Sequence, residues 1–301
     1  KTVISLVNSF INRVDGKNNG DVENMLRAPL SVGLRAALTP SETHPDNRRR
    51  LGERPSQVRL SLRQLTPEFA SAVREPELVI TDADAASLER ISACADPART
   101  MVAFPTVYFP GTGFAMRELA MVCRDRGLKT EANCWGSLSL CREYGLPFVA
   151  GPGLPILNHL AIKCLRELGA AGVSVSMEAD RIQIEDICRA APLPLSLLIY
   201  SRPVLAYTRI PKGQLLPNAD TGGGTWTDRR GISLNPESAD AVTAFRSLAP
   251  FDWRTIRNSL IRVAHIAVDL SGESSPLDAW KRLHRPGGKS GFLFNYDRGL
   301  Q

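Results

Sequence analysis

Three carboxylates stand where a short β-rich run gives way to a turn: Asp82, Glu178 and Asp269. A carboxyl group so placed can act as a general acid or base once its surroundings perturb it. Asp82 has a second reading, as the cap of a helix beginning near Asp84, and Glu178 is equally open to a structural role. A different chemistry is offered by LSLLIYSRPVLAYTRI (Leu195–Ile210) and TDRRGISL (Thr227–Leu234). There a buried run passes straight into Arg202 and Pro203, followed by Tyr207 and Arg209, and a hairpin-like sequence then brings Asp228, Arg229 and Arg230. Guanidinium forks bind carboxylate or phosphate bidentately, so these arginines form a candidate anion site. A set of surface ion pairs that includes Asp228 explains them equally well. Asn133 adds an amide from another strand end.

Several other chemistries lack their residues. His44, His159, His265 and His284 include no i, i+4 pair and no H-E-x-x-H, so no metal set is predicted. No G-x-S-x-G elbow occurs. Gly111-Thr112-Gly113 has only the short part of a phosphate-cradling loop, without a Walker lysine, and reads as a plain connection. Gly222–Gly224 reads as flexible chain.

The elements that must position the candidates come from hydrophobic pattern. Eight short runs have strand character: Val58–Leu62, Leu78–Thr81, Thr100–Phe104, Lys129–Asn133, Pro147–Ala150, Val173–Met177, Leu195–Tyr200 and His265–Leu270. Helical spacing falls between them at Asp84–Cys94, Gly113–Asp125, Ser137–Tyr144, Pro155–Leu168 and Arg181–Ala190. Strands alternating with helices imply crossover connections and a parallel sheet. The predicted class is α/β, a (β/α)8 TIM-barrel-like domain over residues 58–301, with an extended excursion between strands 7 and 8. A doubly wound open sheet is the alternative. Within the excursion a hairpin is expected around Thr225–Leu234, then helical patterns at Ala239–Leu248 and Trp253–Val263. In a barrel the carboxyl ends of the strands form the active face, which selects Gln64, Asp82, Pro105, Asn133, Gly151, Glu178, Ser201, Arg202 and Asp269.

Residues 1–57 break the alternation and read as the remnant of a preceding domain plus a basic linker. The absence of a starting Met fits a fragment or a processed chain. Arg48, Arg49, Arg50 and Arg54 cluster there, and the whole chain carries a net charge of +6. That balance permits a phosphate-bearing partner such as RNA and is equally compatible with ordinary solubility. No apolar run approaches the roughly 18–20 residues of a spanning helix, so no membrane insertion is expected. Six cysteines without a C-x-x-C pair, in a chain of 301 residues, point to reduced thiols and a cytoplasmic setting.

Four segments in order resemble the U32 (collagenase-like) peptidase family. They are LPFVAGPGLPILNHLAIKCLRELGAAGVSVSME (Leu146–Glu178), SRPVLAYTR (Ser201–Arg209), TDRRG (Thr227–Gly231) and GFLFNYDRGL (Gly291–Leu300). The resemblance implies a barrel-like α/β fold and a mouth lined by Asn158, Arg202, Tyr207, Arg209, Asp228, Arg229 and Arg230, with Asn133 and Glu178 nearby. It implies two activities: proteolysis, and oxygen-independent hydroxylation of RNA or of a quinone precursor. The second uses a four-iron cluster on four cysteine thiolates. Three of those cysteines follow the segment similar to Ser201–Arg209, where this chain has Ile210, and no cysteine follows Cys188. No cofactor is therefore predicted. The expected role is a substrate-binding or partner-stabilising half of a larger protein, alongside a cysteine-bearing homologous subunit or domain. Peptide hydrolysis by Glu178, Asp269 and Asp82 is the alternative, and RNA or quinone hydroxylation the third reading.

Overall fold

Eight runs rich in β-branched and apolar residues form parallel strands: β1 (Gln57–Ser61), β2 (Glu77–Thr81), β3 (Thr100–Ala103), β4 (Lys129–Ala132), β5 (Phe148–Ala150), β6 (Val173–Val175), β7 (Leu195–Ser201) and β8 (His265–Asp269). Each pairs with the next, and β8 pairs with β1 through Ala267–Gln57, Val268–Val58 and Asp269–Arg59, so the sheet closes into a barrel. The fold is a (β/α)8 TIM-barrel-like one, and the open-sheet alternative falls. The computed structural model describes residues 44–107, 113–215, 225–227, 231–239, 242–283 and 291–297.

Seven helices cover the barrel among the described residues: α1 (Pro67–Ala72), α2 (Leu88–Cys94), α3 (Gly113–Asp125), α4 (Trp135–Glu143), α5 (His159–Glu167), α6 (Arg181–Ala190) and α7 (Pro276–Leu283). Their starts are set locally. Thr66, Asn158 and Asp180 accept N–H bonds from Phe69, Ala161 and Gln183, caps that each contribute about 1 kcal/mol. The main core lies between helices and barrel, where Val58, Leu60, Ile80, Val102, Ile184 and Ile187 are all fully buried.

Alternation along the strands sends the other set of side chains into the barrel. Val79, Met101 and Ala103, with Val149 against them, form a small apolar cluster separate from the main core. The rest of this interior is polar, with Gln57, Arg59, Ser61, Glu131, Ser174 and Ser196 all buried.

The β7–β8 connection departs from expectation. The hairpin is present, with Trp226–Thr227 antiparallel to Ser233–Leu234. The two helical patterns after it are not helices. Ser233–Ala239, Val242–Ser247 and Val204–Thr208 join Trp226–Thr227 in a four-stranded antiparallel sheet. Val242 and Thr243 are β-branched, and Thr243 finds strand partners on both sides, Ser238 and Thr208, which outweighs a helix-compatible spacing. Trp253–Val263 is made of turns, ending in a short strand, Arg262–Val263. Where an eighth helix would cover β7, an aromatic cluster packs instead. Phe251, Trp253, Phe292, Phe294 and Tyr296 stand 4.8–6.2 Å apart by ring centroids. Residues 291–297 thus serve as wall.

Residues 44–56, placed with the linker by sequence, run across the amino end of the barrel. Arg49–Arg50 pairs with Arg262–Val263, and the Asn47 side chain bonds the backbone of Leu193 and Leu195. Residues 1–43 lie outside the described residues.

Candidate functional site

β1 stands between β2 and β8, and the carboxyl ends of these three strands bring the first group together. Asp82 follows β2 with φ of +57°, a left-handed conformation costly for a non-glycine residue and found chiefly where surroundings hold it in place. It does not cap α2: the turn before that helix is closed by Asp84, which accepts from the Ser87 N–H at 2.7 Å. Desolvation at the mouth raises the Asp82 pKa. Arg63 and Arg246 oppose that shift, Asp269 adds to it, and a hydrogen bond from Thr81 opposes it. Asp269, at the end of β8, accepts from the Ser271 N–H at 2.9 Å and from the Ser201 hydroxyl at 3.5 Å.

Tyr207 stands on the antiparallel sheet, 44% exposed. Partial desolvation raises its phenol pKa; Arg246 lowers it, while the charges of Asp82, Asp269 and Glu237 raise it further. Asp82, Asp269 and Tyr207 therefore share one electrostatic neighbourhood, as three residues distant in sequence. Arg246 fixes the sheet above them. Its guanidinium pairs with Glu237 at 3.0 Å and donates to the Arg202 carbonyl at 2.8 Å. Gly272 allows this approach, since a Cβ there would lie 2.9 Å from Arg246 Cδ and from Arg202 Cβ.

Below the mouth, Arg59 of β1 crosses the barrel to Glu131 of β4, with Nη1 2.5 Å from Oε2. The two side chains are only 8% and 1% exposed. Burial works to lower the Arg59 pKa, but Glu131 and then Asp269 outweigh it and the net shift is upward. The other Glu131 oxygen accepts from Asn133 Nδ2 at 2.8 Å. Asn133 also donates to the Phe104 carbonyl and accepts from the Gly153 N–H, so its amide is occupied as a clamp. Arg59 Nε and the Ser61 hydroxyl are buried and have no hydrogen-bond partner.

A second hub is Glu273, between β8 and α7. One carboxylate oxygen accepts from the Tyr200 hydroxyl at 2.7 Å and Arg202 Nε at 2.9 Å; the other lies 3.4 Å from Arg282. Arg202 also donates to the Leu248 carbonyl. Gln64 joins β1 to this loop by donating to the Glu273 carbonyl at 2.8 Å.

The candidates from sequence thus divide. Asp82 and Asp269 stand at the ends of the strands on either side of β1, Tyr207 feels the charge of both, and Asn133 and Arg202 hold the adjoining networks. Glu178 is exposed after β6, across the ring from β2, and among the described residues its carboxyl forms no ion pair; its backbone carbonyl accepts from Asn295. Asn158 caps α5. Arg209 is exposed just beyond the Val204–Thr208 strand. Asp228, Arg229 and Arg230 lie outside the described residues. Arg59, Ser61, Glu131, Tyr200, Glu237, Arg246 and Glu273 went unrecognised in the sequence. The signal for two of them was present: a charged residue at an alternate position inside QVRLS and KTEA marks the inward face of a strand.

Cys123, Cys141 and Cys188 lie in α3, α4 and α6, where burial pushes their thiols up to about 12, 11 and 11. Among the described residues no group of three or more His, Cys, Asp or Glu side chains is arranged to hold a metal ion. No helix among them is long and apolar enough to cross a membrane.

Comparison with family models, with curated proteins and with solved structures returned no match for this chain.

Proposed function

We propose that this chain is the substrate-binding barrel of a U32 peptidase-like protein, that it works without an iron–sulfur cluster, and that a polar substrate enters between Asp82, Asp269 and Tyr207. The observation that carries the reading is that Asp82 and Asp269 stand at the ends of the two strands flanking β1 at the carboxyl end of the barrel, the end where (β/α)8 enzymes hold their substrates, with the charge of both acting on Tyr207. Pre-formed ion pairs around them support it, because a rigid polar rim lowers the cost of ordering a ligand.

Peptide hydrolysis is the second reading, favoured by the raised pKa of Asp82. Two carboxyl groups in one mouth, one of them more readily protonated than an ordinary aspartate, can divide the acid and base roles. Arg48, Arg49, Arg50 and Arg54, which prompted the RNA reading, lie at the opposite end of the barrel from this mouth; an RNA contact there would be separate from the substrate site. A cysteine-bearing homologous partner stays part of the proposal, as does a cytoplasmic setting, which would keep six free thiols reduced.

The test uses fragments of denatured collagen, with binding followed by fluorescence anisotropy and cleavage by mass spectrometry. Asp82→Asn and Asp269→Asn are expected to abolish both signals, and Glu178→Gln to retain them. Loss in Glu178→Gln alone would move the site to the β6 side of the ring, and failure of the wild type to bind any fragment would remove the peptide reading.

A further inference from the structure

The amino end of the barrel gathers arginines from two segments distant in sequence. Arg49–Arg50 pairs antiparallel with Arg262–Val263, and the register sets Arg50 directly opposite Arg262. Directly opposed residues share one face of a strand pair, and like charges placed so repel each other. Arg257 joins them over Gly52, where a Cβ would lie 2.7 Å from the Arg257 guanidinium. Arg48, Arg49, Arg50, Arg54 and Arg257 are exposed, and Arg262 is half-buried. Among the described residues, none of these arginines stands within ion-pair distance of a carboxylate. Arg48 donates to the Pro45 carbonyl and Arg257 to those of Arg254 and Ile256, bonds that leave their charge uncompensated. Two acids lie in the same segments. Asp46 is 3.7 Å from His44 Nδ1, and Glu53 accepts from the Arg50 backbone N–H at 3.1 Å.

An apolar tip stands beside them. Leu260, between Arg257 and Arg262 in the chain, is 59% exposed. Its turn is fixed: Asn258 Oδ1 accepts from the Leu260 N–H at 3.0 Å, while Asn258 Nδ2 donates to Glu185 at 2.8 Å. A large apolar side chain held in water next to uncompensated guanidiniums suits a surface that is anionic outside and apolar just beneath. Guanidinium forks match phosphate bidentately, and a leucine gains by entering the boundary between headgroups and acyl chains. A nucleic-acid strand fits this end less well. Its bases stack on exposed aromatic rings, and the only Phe, Tyr or Trp within residues 44–56 and 253–263 is Trp253, which is fully buried.

We propose that this end of the barrel docks peripherally on an anionic phospholipid bilayer, with the arginines against lipid phosphates and Leu260 in the headgroup boundary. The contact needs no spanning helix. It uses none of the residues of the mouth, which faces away from the bilayer.

The test sediments the full chain with vesicles of equal parts phosphatidylserine and phosphatidylcholine, and with vesicles of phosphatidylcholine alone, over a series of salt concentrations. Partition onto the anionic vesicles only is expected, weakening as salt rises. Arg50→Gln and Arg257→Gln should each lower the partition coefficient about fivefold, and Leu260→Ala should lower it severalfold. Arg63→Gln, exposed at the carboxyl end, should leave it unchanged. Urea midpoints report whether each variant is folded, and Arg48→Gln with Arg54→Gln replaces Arg257→Gln if that change unfolds the chain. Equal partition onto both vesicle types, no partition, or partition indifferent to the arginine changes would overturn the proposal. Partition unaltered by Leu260→Ala would remove the apolar contact and with it the case for a bilayer. Gel-shift binding of a duplex RNA that is lost in the same arginine variants, without vesicle binding, would assign this surface to nucleic acid instead.

Discussion

Breaking the Arg59–Glu131 pair tests how far the barrel interior depends on its polar network. Arg59→Met keeps much of the side-chain length but deletes the cation, leaving Glu131 in a site where the two partners are 8% and 1% exposed. Removing one member of a buried ion pair typically costs about 3–5 kcal/mol, because the remaining charge has no solvent to return to. Glu131 keeps its bond from Asn133 but loses the shorter one from Arg59. For a domain of this size that loss corresponds to a fall in Tm of roughly 6–20 °C. Glu131→Gln should be destabilising in the same way, since it strands Arg59, whose Nε already lacks a partner. The double variant removes both charges while the introduced amide keeps an acceptor for Asn133, so it should lose less stability than either single change. Urea denaturation of the three variants, read as a double-mutant cycle, measures the coupling. A cost for Arg59→Met below about 1 kcal/mol, the range of exposed pairs, would mean that the pair is screened after all and that the interior does not depend on it.

Two further outcomes follow from buried titrating groups. Cys123, Cys141 and Cys188 should react with a thiol reagent only after unfolding, because burial pushes their pKa values to about 12, 11 and 11; rapid labelling of all six cysteines in the native chain would contradict this. Burial, then the hydrogen bond to Glu273 and the charge of that residue, pushes the Tyr200 phenol up to about 12 from an ordinary value of 10. Since its folded pKa is the higher one, its stabilising contribution is complete below about pH 10 and lost as pH rises towards 12. The wild type should therefore lose stability faster than Tyr200→Phe over that window in urea titrations at successive pH values, and parallel curves would show that Tyr200 contributes nothing there.

The repeating unit of this protein is written in local pattern. Runs such as LVIT and LSLLIY, apolar at successive positions and separated by helical spacing and capping residues, suit strands covered on both faces, and all eight such runs are strands of the barrel. The same pattern put Asp82, Asn133, Arg202 and Asp269 at strand ends, because position after a strand is a local property. The excursion was less legible. Ala239–Leu248 carries a spacing that suits helix or strand, and pairing with Val204–Thr208 settled the matter. Which strand ends face one another is a different kind of information, supplied by the folded ring. Closure of β8 onto β1 sets the strand ends that carry Asp269 and Asp82 on either side of β1 and carries Glu178 across the ring, while the fold-back of the antiparallel sheet brings Tyr207 within the field of both aspartates. Arg59 finds Glu131 only because a closed ring sets β1 and β4 across an interior that water cannot screen. Partners of that kind are chosen by closure and dielectric, which no local pattern of residues encodes.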